Sequence, residues 1–373
     1  FRPLFLGAAL WAALAMALWV GQLSGRLALP TAFGAVDWHV HELLFGYLPA
    51  VIAGFLLTAV PNWTGRLPLV GPPLLGLVLL WLAGRIVILL AATVPPPLTA
   101  AVDLAFLAMA IGREIVAGRN WRNLPVLALV GLLALANAAF HAEAATSGTA
   151  ASGHGARLGI AVVVFLILLI GGRIVPSFTR NWLLRRDPGP LPATSARLDQ
   201  VTLAVAGTAL AAWIVRPDAV PTGIVCIAAG LAHLVRVGRW AGWRTRAERR
   251  VTILHVGYGY AALGFALVGG AVLAPDLMPR SGTLHAWMAG AVGVMTLAVM
   301  TRASLGHSGR ALSASPATSA IYALAILAAA LRLIAGFEPE ATWLLHAAAA
   351  AWIGAFGGFA VVYGPLLTRP RRR

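Results

Sequence analysis

The sequence predicts an all-α polytopic membrane protein of twelve transmembrane helices. Three observations predict it. Of 373 residues, 60% are hydrophobic and only 11% charged, and mean hydropathy is +0.85, a balance that soluble globular domains do not reach. Apolar runs of roughly 20 residues, the length that crosses a bilayer core, recur along the whole chain. Short connections rich in Arg, Pro or Gly separate them. Soluble multidomain, disordered and disulfide-scaffold classes are excluded. The single cysteine, Cys226, lies in an apolar run as a packing residue and rules out an internal disulfide or a Cys-type zinc site.

Taken in order, the apolar runs lie near 3-23, 39-62, 72-92, 96-117, 123-144, 156-180, 197-215, 219-238, 251-273, 281-301, 315-336 and 340-366. The first follows Arg2 as a signal peptide would. Its run is longer than a signal h-region and no small-residue cleavage site follows, so it reads as a span. No initiator Met is present, so a short leader can precede the numbered chain. Pro61 and Pro176 should kink or end spans 2 and 6, because each frees a carbonyl one turn earlier. All twelve spans form one integral membrane domain, 1-373.

A weak internal echo divides that domain. His39 precedes Pro61, and His154 precedes Pro176, by the same 22 residues, within AVPNWTGR and RIVPSFTRNW. Span 10 ends in LAVMTRASLGHSGR, a looser version. Three units of four spans, near 1-122, 123-250 and 251-373, would account for this, as repeats do in other membrane folds.

The net charge of +16 would suggest a nucleic-acid partner in a soluble protein, but every basic residue here is Arg. Sorted by side, twenty-one loop arginines fall with the termini, against Arg26, Arg157, Arg216 and Arg280 opposite. The arginines therefore record orientation, with both termini cytoplasmic, and no nucleic-acid partner is expected. Tryptophans near span ends, as at Trp38, Trp63, Trp121, Trp182, Trp240 and Trp243, fit an interfacial belt.

Nine histidines against no lysine are the chemically informative feature, since an ionisable or ligating group inside a span is costly there. Alternating direction and a rise of about 1.5 Å per residue bring His39, His41, His141, His285 and His346 to one outer layer. Converging imidazoles suit copper, zinc or haem iron. Glu42 lies three residues after His39 on the same helical face and can add a ligand or relay protons. His41 points elsewhere on an ideal helix, so both histidines reach one metal only if WHVH begins the span irregularly. Glu143 and His154 are also outer, but the Gly/Ser/Ala-rich stretch 146-153 makes them loop-like.

On the opposite side, His233 and His255 can face each other across a flat cofactor, with bis-histidine haem as the obvious use and Arg236, Arg239, Arg249 or Arg250 for its propionates. Interfacial snorkelling is the plain alternative, and His307 reads as a loop residue. Arg85 and Asp103 match in depth and can form an ion pair; Arg85 could instead clamp a propionate. Arg173 has no acidic partner by depth, leaving Asn62, Thr64, Asn181 or an anionic cofactor group. No Walker loop, GxGxxG junction, HExxH, CxxCH or GxSxG occurs, so nucleotide hydrolysis, zinc proteolysis, c-type haem and elbow hydrolases lack support.

The stretches FRPLFL (1-6), WHVHELLFGY (38-47), AGFLLTAVPNWTGR (53-66), LWLAGR (80-85), IGGRIVPSFTRNW (170-182), LHVGY (254-258) and HAWMAGAVGVMTLAVMTRASLGHSGR (285-310) span nearly the whole chain. Together they resemble the NnrS family of bacterial membrane proteins. The resemblance implies a twelve-span inner-membrane protein containing haem b and copper, associated with denitrification and with resistance to nitric oxide and nitrosative stress. It assigns no ligands, but its motifs contain His39, His41, His255, His285 and His307, whereas His141, His233 and His346 rest on depth alone.

Two functional classes follow. In one, an oxidoreductase binds or reduces nitric oxide at the outer histidine-ligated metal site, with Glu42 relaying protons and an unidentified electron donor. The span count is similar to that of haem-copper oxidase catalytic subunits, by analogy only. In the other, a transporter or binding protein handles a metal or a metal-nitrosyl complex, which calls for polar sites near the midplane. The layered histidines favour fixed cofactors.

Overall fold

A computed structural model describes residues 1-64, 68-118, 124-186, 188-306 and 314-369, without the side chains of 60-64 and 111-118. The expectations for the side chains of Pro61, Asn62, Trp63 and Thr64, and those for Trp121 and His307, lie outside the described residues.

The apolar runs form twelve helices: α1 (Arg2–Leu23), α2 (from Ala35 to Thr64), α3 (Pro72–Leu89), α4 (Pro96–Gly118), α5 (Leu124–Ser147) and α6 (His154–Leu183), then α7 (Ala196–Val215), α8 (Val220–Gly238), α9 (Arg249–Leu273), α10 (Arg280–Gly306), α11 (Pro316–Phe337) and α12 (Thr342–Thr368). A short 3-10 turn, Gly242–Thr245, joins α8 to α9. Among the described residues, eleven are long and apolar enough to cross a membrane; the remaining one, α4, is apolar over Pro96–Ala110. No strand occurs among the described residues. The chain is therefore an all-helical, multi-pass membrane protein, because only helices or closed barrels satisfy their backbone polar groups in lipid.

Local sequence explains the ends. Proline stands in the first turn of α1, α3, α8 and α11, where its missing N–H costs nothing. Ser315 Oγ caps α11 by accepting from the Thr318 N–H at 3.1 Å, and Ser195 caps α7 in the same way. Span 2 begins earlier than expected, at Ala35, so WHVH lies one turn inside the helix rather than opening it.

Three spans carry π-helical segments: Glu42–Tyr47 in α2, Ile167–Gly171 in α6 and Ala286–Gly293 in α10. Each widens the turn and shifts the phase of the side chains that follow it. Pro176 sits one turn beyond the α6 segment, and the helix runs on to Leu183, so this proline does not end the span.

The chain forms two compact units, residues 1–162 with 363–373, and 163–362. In the first, α2 is the most buried span, packed against α1, while α3, α4 and α5 pair in sequence. In the second, α9 and α10 are central. Here α8 meets α9 through small residues: a Cβ on Gly223 would stand 3.0 Å from the Gly269 carbonyl, and one on Gly230 would stand 2.9 Å from the Ala262 carbonyl. Such close backbone approach is how spans gain contact where lipid supplies no hydrophobic drive. Cys226 is buried on α8, as expected of a packing residue.

Candidate metal centre

The first unit buries a charged cluster drawn from four helices. His41 and Glu42 stand where α2 passes from α-helix into its π segment. Arg85 comes from α3, Asp103 from α4, and Asn137 and His141 from α5, one turn apart on one face. Asp103 is the hub. Its Oδ2 receives His41 Nε2 at 3.1 Å, His141 Nε2 at 3.3 Å and Asn137 Nδ2 at 2.7 Å. Its Oδ1 is paired with Arg85 Nη2.

Glu42 is the second anion. Its Oε1 accepts from Arg85 Nη1 at 2.6 Å and meets His41 Nδ1 at 3.0 Å, while Oε2 accepts from Trp11 Nε1 at 2.6 Å. The Arg85–Asp103 ion pair expected from matching depth is present, and Arg85 also bridges to Glu42. Both of its terminal nitrogens are thereby engaged. Glycine makes room for it: a Cβ on Gly46 would collide with the Arg85 guanidinium and stand 2.8 Å from Glu42 Oε2. The Gly46 carbonyl, inside the π segment, accepts from Trp81 Nε1 at 2.9 Å.

The cluster is closed in by rings. Phe33, Phe45 and Phe140 pack around His41 at centroid distances of 5.5 to 5.7 Å. Ionic groups sealed in this way cost several kcal/mol each unless paired and hydrogen-bonded. Here both carboxylates are saturated with donors. His41 directs both ring nitrogens at carboxylate oxygens, the arrangement of a doubly protonated imidazolium. Two cations, His41 and Arg85, then balance two anions, Glu42 and Asp103.

One ligand atom each from His41, Asp103 and His141 lies within 4.8 Å of the others, the arrangement of three groups able to hold one metal ion. His39 is not in that triad: its ring stacks on Trp19 at 4.0 Å. His285 and His346 belong to the second unit, where each Nδ1 meets a carbonyl one turn back on its own helix, Ser281 at 2.6 Å and Thr342 at 2.9 Å. Glu143 and His154 are helical rather than loop residues; Glu143 caps α6 through the N–H groups of His154 and Gly155, at 2.7 and 3.1 Å.

The second unit holds the other polar assembly. Tyr258 Oη accepts from Arg236 Nη1 at 2.7 Å and meets His233 Nδ1 at 2.8 Å, so the tyrosine donates to that nitrogen. Arg236 Nε reaches Asp199 at 2.8 Å. Ring contacts run from His233 to Tyr258, on to Trp240 at 4.7 Å, and from Trp240 to His255. His255 Nε2 meets Thr179 Oγ1 at 2.8 Å. Each histidine keeps one buried nitrogen without a well-formed hydrogen bond: Nε2 of His233, near the Thr202 main chain, and Nδ1 of His255, against Gly242. Arg173 is exposed on α6.

Sequence reading missed Trp11, Asn137, Asp199 and Tyr258. Asn137 had a signal, an amide four residues before His141 in an apolar run. Trp11 had none, since it looks like any other span tryptophan.

Fold and site together define a polytopic helical membrane protein with a buried histidine–carboxylate–arginine cluster. Residues 1–371 match the NnrS protein family, and the chain belongs to that family. No curated protein matches it.

Proposed function

We propose that this chain is a haem- and copper-containing inner-membrane protein of nitric oxide metabolism and nitrosative-stress resistance, binding or reductively processing nitric oxide at the His41–Asp103–His141 site. Both termini are taken to be cytoplasmic from the arginine distribution, which puts this site in the outer half of the membrane.

The observation that carries the reading is the buried triad itself. Two imidazoles and a carboxylate within 4.8 Å form an N,N,O donor set that suits a transition metal such as copper, zinc or iron, and copper is the one the family resemblance implies. Metal binding removes the proton that His41 Nε2 shares with Asp103, because a ligating nitrogen must be deprotonated. Bound copper would supply an electron-accepting and electron-donating centre for the nitrogen oxide.

The residues around it have separate tasks. Arg85 holds Glu42 and Asp103 in place through both terminal nitrogens. Glu42 Oε1 accepts the Nδ1 proton of His41 at 3.0 Å, which would orient the imidazole for ligation through Nε2, and the relay role assigned to Glu42 would run through this contact. Phe33, Phe45 and Phe140 keep water from the imidazoles. Nε2 of His233 and Nδ1 of His255, each buried without a well-formed hydrogen bond, are the nitrogens that would hold haem. A bis-histidine arrangement across one ring requires Tyr258 and Trp240 to make room.

Metal content, an optical spectrum and nitric oxide consumption with an artificial electron donor, measured on the purified chain, test the reading. Expected are copper that is lost in His141→Ala and nitric oxide uptake that is lost with it. Copper retained in His41→Ala and His141→Ala would overturn the site. Copper flux into proteoliposomes without nitric oxide turnover would replace the enzyme by a transporter.

A further inference from the structure

Next to the His233–His255 assembly, where Phe178 precedes Thr179, two arginines of the second unit share a place with too few counter-charges. The helices α9 and α10 touch where a Cβ on Gly257 would lie 3.3 Å from the Met295 main-chain nitrogen. Arg250 is seven residues before Gly257 and Arg302 seven after Met295, and antiparallel neighbours bring both to the same level, about 10 Å from that contact. Arg302 is within electrostatic range of Arg250 and Glu248.

The partners do not balance. Arg250 is 1% exposed; its Nε reaches Glu248 Oε1 at 3.2 Å, and its Nη1 is buried with no hydrogen-bond partner. Arg302 lies over the Phe178 ring at 3.5 Å and makes no hydrogen bond or ion pair among the described residues. Among the described residues, Glu248 is the one carboxylate within reach of either. Two guanidinium groups, one buried and one half-buried, against one carboxylate leave a net positive charge largely shielded from water, which is costly unless an anion completes it.

We propose that Arg250 and Arg302 form a binding site for an oxyanion of the phosphate type at the end of α9 and α10. A fork of N–H donors matches such a group in shape and charge, and one negative charge restores neutrality. The anion can be a phospholipid headgroup or free phosphate, and the two sources separate by experiment.

The test uses the whole purified chain. Thermal unfolding is followed with inorganic phosphate added, and native mass spectrometry compares lipid retained from phosphatidylglycerol with that retained from phosphatidylcholine. If the anion is free, phosphate raises Tm, with half-saturation at least tenfold higher in Arg302→Gln and unchanged in Arg239→Gln. If it is a headgroup, phosphatidylglycerol is retained by the parent and by Arg239→Gln but lost from Arg302→Gln. Should Arg302→Gln fail to fold, Arg302→Lys keeps the charge without the fork and must weaken the same response. Equal responses in parent and Arg302 variants, or no response to either probe, overturn the proposal.

Discussion

His41 and His141 approach the same oxygen, Oδ2 of Asp103, with their rings 5.1 Å apart and 68° from parallel. Two imidazoles from different helices aimed at one carboxylate oxygen bring three potential ligand atoms within 4.8 Å of one another. The relationship depends on Asp103 being held from behind by Arg85 and Asn137.

Removing Asp103 should therefore destabilise the first unit. Asp103→Ala strands His41 and one arm of Arg85 in an apolar interior, at a cost of about 3–5 kcal/mol for breaking a buried ion pair. Unfolding of the purified chain in mixed micelles checks this, and a loss below 1 kcal/mol would mean that the cluster is hydrated.

Copper content should distinguish the histidines. His141→Ala is expected to lose the bound ion, whereas His346→Ala, at an exposed site on α12, is expected to keep it. Elemental analysis of the two variants, each normalised to protein, decides the matter.

Gly46→Ala is the smallest change that should disturb the cluster. Its methyl would enter the space of the Arg85 guanidinium and Glu42 Oε2. Overpacking of this kind costs about 1–3 kcal/mol. The Tm should fall in this variant but not in Gly76→Ala, where a Cβ meets nothing within 4 Å.

Tyr258→Phe removes the hydroxyl that joins Arg236 to His233. The buried donor and acceptor left behind should cost about 1–3 kcal/mol. If His233 holds haem, the absorption spectrum should shift as well, since that bond orients the ring. An unchanged spectrum alongside lowered stability would assign Tyr258 a structural role only.

The spans were legible because lipid demands continuous apolar helices, so each leaves an uninterrupted run of about 20 residues. The Arg85–Asp103 pair was legible for a related reason: charges at matching depth on neighbouring spans must find each other or remain unpaired in an apolar medium. The start of α2 was not. Ala35–Asp37 belongs to the helix although the apolar run begins later, because Asp37 is not at a charged surface: its Oδ1 accepts from the N–H groups of Ala150 and Ala151, at 2.9 and 2.6 Å.

Sequence alone determined the membrane class, the order of the twelve helices and the residues able to carry chemistry, since these follow from composition and from the expense of polar groups in lipid. Which histidines meet was decided by the tertiary structure. Depth along a span places a residue on one axis only, and rotation about the helix is the other coordinate. On an ideal helix His39 shares a face with Glu42. In the fold, the carboxylates of Asp103 and Glu42 meet His41 instead, while the ring of His39 rests on Trp19.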